Sequence, residues 1–121
     1  MSTNVVEFPA RGLEAILRHP WRTDVYLKVL EAAIEGRFLH YSDLPGGRFH
    51  WGKYLYRISG EEARQKRPPL TAIVVEKRTG KPAHGFMEAM RDIDYPIAEG
   101  ETEDEVWRRA VAEVFAYWRR S

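Results

Sequence analysis

The stretch that most restricts how this chain can fold is an apolar segment that follows two prolines. Residues 68–75, Pro-Pro-Leu-Thr-Ala-Ile-Val-Val, contain the only long β-branched run in the sequence, and apart from Thr71 the segment is apolar on both faces. That pattern predicts an interior strand. Thr79-Gly80 then supplies a turn signal, and a weaker extended segment follows it. We therefore expect an antiparallel β-hairpin at about residues 70–88.

Helical periodicity predicts helices on both sides of this hairpin. An early helix begins near Thr23, ends before Gly36, and has one apolar stripe made by Tyr26, Val29, Leu30, Ala33 and Ile34. A second helix is expected from about His50, with a buried face formed by Trp51, Tyr54, Leu55 and Ile58. Ser59 and Glu62 match a capping box, which allows this helix to break at Gly60 and restart.

The C-terminal helix carries the strongest signal. Thr102 and Glu105 form a second capping box, and the acids between them suit the positive end of the helix dipole. The apolar stripe that follows consists of Trp107, Val111, Val114, Phe115 and Trp118.

The order of elements is that of a winged helix: a helix, a short strand at 38–41, a turn at 45–47, a helix and a hairpin. In that fold the hairpin is the wing and the helix before it can enter the major groove. The expected class is α+β, winged-helix-like, with three to four helices packed on a small antiparallel sheet centred on the hairpin at about 70–88. Residues 1–121 are expected to form a single domain, with residues 1–9 as a loose N-terminal arm.

Charge is distributed unevenly although the net charge is only +1. Residues 37–81 hold ten Lys or Arg against four acids, whereas residues 82–121 hold five against nine. A basic middle face is what a phosphate-binding surface requires. Seven cations in or near the second helix and the hairpin are the candidate nucleic-acid-binding residues: Arg48, Lys53, Arg57, Arg64, Lys77, Arg78 and Lys81. Tyr56 is the candidate exposed aromatic that could stack on bases.

Several classes of site lack support in the sequence. There is no cysteine, which excludes disulfides and thiolate chemistry. His40, Asp43 and His50 do not have the spacing of a metal site, and Gly46-Gly47-Arg48 lacks the rest of a phosphate-binding loop. No cofactor is expected, and no apolar span or signal peptide is present, so the prediction is a cytoplasmic protein without membrane association.

The central motifs resemble a pattern found in small uncharacterised bacterial proteins. The matching segments are Arg67-Pro68-Pro69-Leu70-Thr71-Ala72-Ile73-Val74-Val75, Thr79-Gly80-Lys81-Pro82 and Gly85-Phe86. The resemblance covers roughly residues 23–118 and includes a closing helix rich in Trp and acids. Ala83 replaces a glycine of the pattern, and Pro45-Gly46-Gly47 shortens the helix that would follow Tyr41. The resemblance implies no activity.

Three functions remain open from the sequence. The leading hypothesis is a small accessory or regulatory protein that binds DNA or RNA through a basic helix and a hairpin wing. The alternative is a protein-interaction or homodimerisation module. The third is a small enzyme that uses His84, Glu88 and Arg48, although no nucleophile or oxyanion loop accompanies them, and no catalytic residue is assigned.

Overall fold

The computed structural model describes residues 23–44 and 51–119, and within those ranges it describes the side chains from Asp24 and from Leu55 onwards. These residues form a helix-dominated α+β fold. Four helices and two short strands follow one another in the order α1 Thr23–Glu35, β1 Leu39–His40, α2 Trp51–Arg64, β2 Val74–Val75, α3 Phe86–Asp92 and α4 Glu103–Trp118. Tyr41–Asp43 and Leu70–Ile73 form short 3-10 helices.

The two strands pair with each other in parallel. Leu39 lies opposite Val74, and His40 lies opposite Val75. Parallel partners cannot be joined by a tight turn and need a crossover connection, which α2 and its flanking segments supply here. The predicted antiparallel sheet is therefore wrong, because β2 pairs with the strand that precedes α2 and not with the segment that follows the turn.

The predicted hairpin at 70–88 is also wrong, although its turn exists. The N–H of Gly80 donates to the Glu76 carbonyl at 2.8 Å, and Gly80 has a φ of +71° that glycine adopts without strain. The return strand is replaced by α3, which begins after Gly85. Since the described residues contain no wing, they do not support the winged-helix class.

Three helix ends share one capping geometry. After α2, the N–H of Lys66 donates to Ala63 at 3.0 Å, and the N–H of Arg67 donates to Glu62 at 2.8 Å. This is the Schellman arrangement, in which the first residue beyond the helix takes a left-handed conformation. Gly36 fills that position after α1, whereas Lys66 (φ +60°) and Asp94 (φ +58°) fill it after α2 and α3.

The predictions for the first and last helices are confirmed. In α1 the stripe from Tyr26 to Ala33 is buried. At the start of α4 the Thr102 Oγ1 accepts from the Glu105 N–H at 3.1 Å, while Glu105 Oε1 accepts from the Thr102 N–H at 2.8 Å. The buried face of α4 is rotated relative to the prediction, because its fully buried residues are Val106, Ala110, Val114 and Trp118.

Helix α2 continues through Gly60, so the predicted capping box at Ser59 and Glu62 does not form. Glu62 is instead fully buried and pairs with Arg67, which is only 6% exposed. Arg67 Nε donates to Glu62 Oε1 at 3.0 Å, and Nη2 donates to Oε2 at 2.9 Å. The Tyr26 hydroxyl donates to the same Oε2 at 3.1 Å. This network fastens the end of α2 to α1.

Candidate functional site

A cleft of about 850 Å³ opens between α2, α3 and the turn that follows β2. We name it the Tyr56 cleft, after the exposed aromatic at its edge. The residues that line it come from α2, α3, both strand ends and the intervening loops: Tyr41, Ser42, Leu55, Tyr56, Ser59, Thr71, Glu76, Lys77, Arg78, Pro82, Ala83, His84, Gly85, Phe86, Ala89 and Met90.

The position of the cleft follows from the parallel pairing. Ser42 comes just after β1, and Lys77 comes just after β2, so the two segments leave the sheet at the same edge. The carboxyl ends of parallel strands are where ligands bind in open α/β sheets. In this chain too, the cleft lies at the carboxyl ends of the parallel strands β1 and β2.

The floor of the cleft is mainly apolar. Leu55, Phe86 and Met90 are all buried below it. Ser59 of α2 and Thr71 of the 3-10 helix also line it, and their hydroxyls hydrogen-bond to each other. The floor thus combines apolar surface with one pair of hydroxyls that could exchange a hydrogen bond with a ligand.

Tyr56 forms part of the rim and is 50% exposed. Its hydroxyl donates to Asp92 Oδ2 at 3.2 Å, and that hydrogen bond to a carboxylate raises the pKa of the phenol. The contact joins α2 to the end of α3. As a result, an aromatic face is held at the mouth of the cleft.

Tyr41 forms a wall of the cleft on the side of β1. Its hydroxyl accepts a hydrogen bond from the Ala83 N–H at 3.3 Å, and burial raises the pKa of the phenol. The bond ties the loop at 81–85 to the 3-10 helix that follows β1, and it fixes this wall of the cleft.

Two of the predicted cations lie at the rim. Lys77 and Arg78 are exposed on the turn after β2. Neither makes an ion pair with another residue in the described ranges 23–44 and 51–119. Glu76 also lines the cleft and accepts a hydrogen bond from Thr79 Oγ1 at 3.2 Å. The rim therefore has two cations and one carboxylate.

The other predicted cations lie elsewhere. Lys81 Nζ is 3.3 Å from Asp104 Oδ1 at the start of α4, and Arg64 Nη2 is 2.6 Å from Glu61 Oε1. Arg57 is exposed on α2, seven residues before Arg64, so the two share a helical face beside Tyr56. Arg48 lies outside the described residues. The side chain of Lys53 is likewise not described.

The candidate catalytic pair is not assembled. His84 is exposed at the rim and Glu88 is exposed in α3, and no hydrogen bond joins them in the described part of the chain. His40 Nδ1 lies 3.7 Å from Asp43 Oδ2, whereas His50 is outside the described residues. Over residues 23–44 and 51–119, no three His, Asp or Glu side chains converge as metal ligands would.

The sequence did not predict the cleft itself. Its floor depends on α3, which replaces the predicted return strand, and on the contact between Ser59 and Thr71. The one signal that pointed to it was Tyr56, since it lies off the buried face of α2.

Comparison with protein-family models, curated proteins and solved structures gives no match to this chain. The resemblance to the small bacterial proteins stays a prediction. None of the helices in the described ranges has both the length and the apolar content that a membrane span needs.

Proposed function

We propose that this chain binds nucleic acid at the rim of the Tyr56 cleft. The observation that supports this function best is the proximity of Lys77, Arg78 and the half-exposed Tyr56 ring on one open surface. Exposed cations beside an exposed aromatic are the combination that single strands bind, with phosphates on the cations and bases on the ring.

The two rim cations differ from Lys81 and Arg64 in their ion pairs. Lys81 and Arg64 are close to carboxylates, which offset their charge. Lys77 and Arg78 lie in the exposed turn after β2 and make no ion pair with the residues that the structure describes. An Arg can grip a phosphate with two parallel hydrogen bonds, whereas a Lys acts as a point charge. Because Lys77 and Arg78 are adjacent in sequence, they could bind two neighbouring phosphates.

Salt dependence tests this proposal. Binding of labelled single strands and duplexes is measured by fluorescence anisotropy over a series of salt concentrations. Affinity should fall steeply with salt, and Lys77→Ala with Arg78→Ala should reduce the log–log slope by about 1.4 for a single strand, at about 0.7 per phosphate contact.

A matched control removes the same charge from another place. Lys28 and Arg119 are exposed and outside the cleft. Lys28→Ala with Arg119→Ala should leave the slope near that of the unmodified chain. Absence of binding at low salt, or equal losses in the two double variants, would contradict the proposal.

A second function has one specific observation in its favour. Phe38 is 45% exposed, and its ring centroid lies 6.0 Å from that of Trp107 and 5.6 Å from that of Phe115. Trp107 and Phe115 are half-buried, so Phe38 is the exposed member of this aromatic cluster. Aromatic side chains are enriched at interfaces, and the alternative is a homodimerisation module. Sedimentation at rising concentration tests it: a dimer that Phe38→Ser abolishes supports the alternative, and a monomer throughout excludes it.

A further inference from the structure

The Tyr56 cleft offers more surface than a phosphate contact requires. Its floor residues Leu55, Phe86 and Met90 are at least nine-tenths buried, while its rim is exposed. Phosphates would need only the rim cations. The floor is therefore available to a second part of the ligand, and because the floor is apolar, that part should be apolar as well.

The chemistry of the floor matches a flat ring with a few polar edges. Ligand sites of roughly 300–1,000 Å³ are mostly apolar, with a small number of polar groups that fix orientation, and the cleft falls within that range. Both hydroxyls of the Ser59–Thr71 pair can accept at a ring edge, and one of them can donate, because their mutual hydrogen bond uses one of the two protons. A nucleobase has such edges and an apolar face.

The distribution of charge gives the orientation. The cations lie at the exposed rim, on the turn that leaves β2, and the described floor carries no charged group. A ligand with a ring at one end and an anion at the other would place the ring inward and the anion at Lys77 and Arg78. The ring of Tyr56, held by Asp92, lies at the mouth between these two regions.

We infer that the Tyr56 cleft binds one unpaired nucleotide of a DNA or RNA strand, with its base on the apolar floor and its phosphate at Lys77 and Arg78. The inference rests on the proposed function and makes it more specific. A base inside a duplex is stacked between its neighbours and cannot enter a cleft, so single-stranded or extruded nucleotides are the ones recognised.

The experiment compares single strands with a duplex of the same sequence and adds variants that act on the cleft alone. Strands of about 12 nucleotides are long enough for one binding site. DNA and RNA strands are both assayed because each supplies a base and a phosphate. Ala89→Phe fills the cleft from α3, and Ala112→Phe makes the same change at an exposed position of α4. Ala83→Phe fills the cleft from a loop, in case Ala89→Phe disturbs folding.

We expect the single strand to bind more tightly than the duplex. Tyr56→Leu should weaken single-strand binding by about 5- to 150-fold, the range of one lost base stack. Tyr56→Phe keeps the ring but removes its hydrogen bond to Asp92, so it should weaken binding less than Tyr56→Leu does. Ala89→Phe or Ala83→Phe should weaken single-strand binding at least as much as Tyr56→Leu does, without effect on the duplex. Ala112→Phe should change neither affinity.

The outcomes separate this inference from the proposed function. One contrary result is that Lys77→Ala with Arg78→Ala weakens binding but the cleft-filling variants do not. Another is that the duplex binds as well as the single strand. Either result would mean that the chain binds phosphate at its rim and that the cleft holds no base. If no strand or duplex binds at low salt, the proposed function fails and the inference fails with it. Stronger binding to one strand type identifies DNA or RNA as the source of the nucleotide.

Discussion

The buried pair of Glu62 and Arg67 provides the sharpest test of the fold. Glu62→Gln preserves the shape of the side chain but removes its charge. The Arg67 side chain is 2% exposed, so its guanidinium would lose the Glu62 carboxylate at a place that water does not reach. In addition, the amide NH₂ of glutamine would face donors in either orientation: Arg67 Nε at the position of Oε1, or Arg67 Nη2 and the Tyr26 hydroxyl at the position of Oε2.

The expected loss is large relative to the stability of a domain. Removing one partner of a buried ion pair costs about 3–5 kcal/mol, and a domain of this size has only about 5–15 kcal/mol in total. With a urea m value of about 1.5 kcal/mol/M, the midpoint of unfolding should fall by about 2–3 M. Urea unfolding followed by circular dichroism and by tryptophan fluorescence measures this shift.

A control and a rescue variant accompany it. Glu35→Gln makes the same chemical change in the exposed pair with Arg37 and should cost about 1 kcal/mol or less. The double variant Glu62→Leu with Arg67→Met removes both charges and should recover much of the loss, because apolar replacement of a whole buried pair is often neutral. If Glu62→Gln costs no more than Glu35→Gln, the reasoning from burial is refuted.

Three other predictions concern pH, capping and the rim. Burial raises the pKa of Glu62 above 4.5, and Arg67→Met removes the cation that opposes this shift. Since Glu62 then takes up a proton on folding, this variant should lose stability as the pH rises above about 4.5, by at most about 1.4 kcal/mol per pH unit. Urea titrations at several pH values measure this loss. Thr102→Ala removes the cap of α4 and should cost about 1 kcal/mol in the same assay, whereas a loss below 0.3 kcal/mol would show that the cap is unimportant. Lys81→Ala should weaken binding of a single strand less than Arg78→Ala does, because Asp104 offsets the charge of Lys81; equal losses by anisotropy would place Lys81 at the rim.

The helices were predictable where local chemistry and burial agree. The capping box of α4 forms as expected, since Thr102 and Glu105 satisfy each other without help from the rest of the fold. Ser59 and Glu62 have the same spacing but lie inside α2. There the hydroxyl bonds to Thr71 and the carboxylate bonds to Arg67. A capping motif predicts a helix start only if its side chains do not form hydrogen bonds with residues elsewhere in the fold.

The strands were not predictable from the β-branched run alone. Residues 70–73 wind into a 3-10 helix, where the Ala72 N–H donates to the Pro69 carbonyl at 3.0 Å and the Ala72 carbonyl accepts from Trp107 Nε1 at 2.9 Å. A side chain from α4, 35 residues later, thus helps to set the backbone of this segment. Short apolar runs take helix or strand geometry according to such contacts, which periodicity cannot reveal.

The corrected strand pairing and the candidate site have a common cause. In a hairpin, Lys77 and Arg78 would occupy a tip that projects away from the sheet, remote from the residues that follow β1. Because β2 runs parallel to β1, the turn after β2 emerges beside Tyr41 and Ser42 and faces α2, which connects the two strands. The same two cations that were predicted for a wing thereby become the rim of a cleft. The proposed binding of phosphate by these cations is compatible with either arrangement, and the apolar floor of the cleft is the reason to propose a base as well.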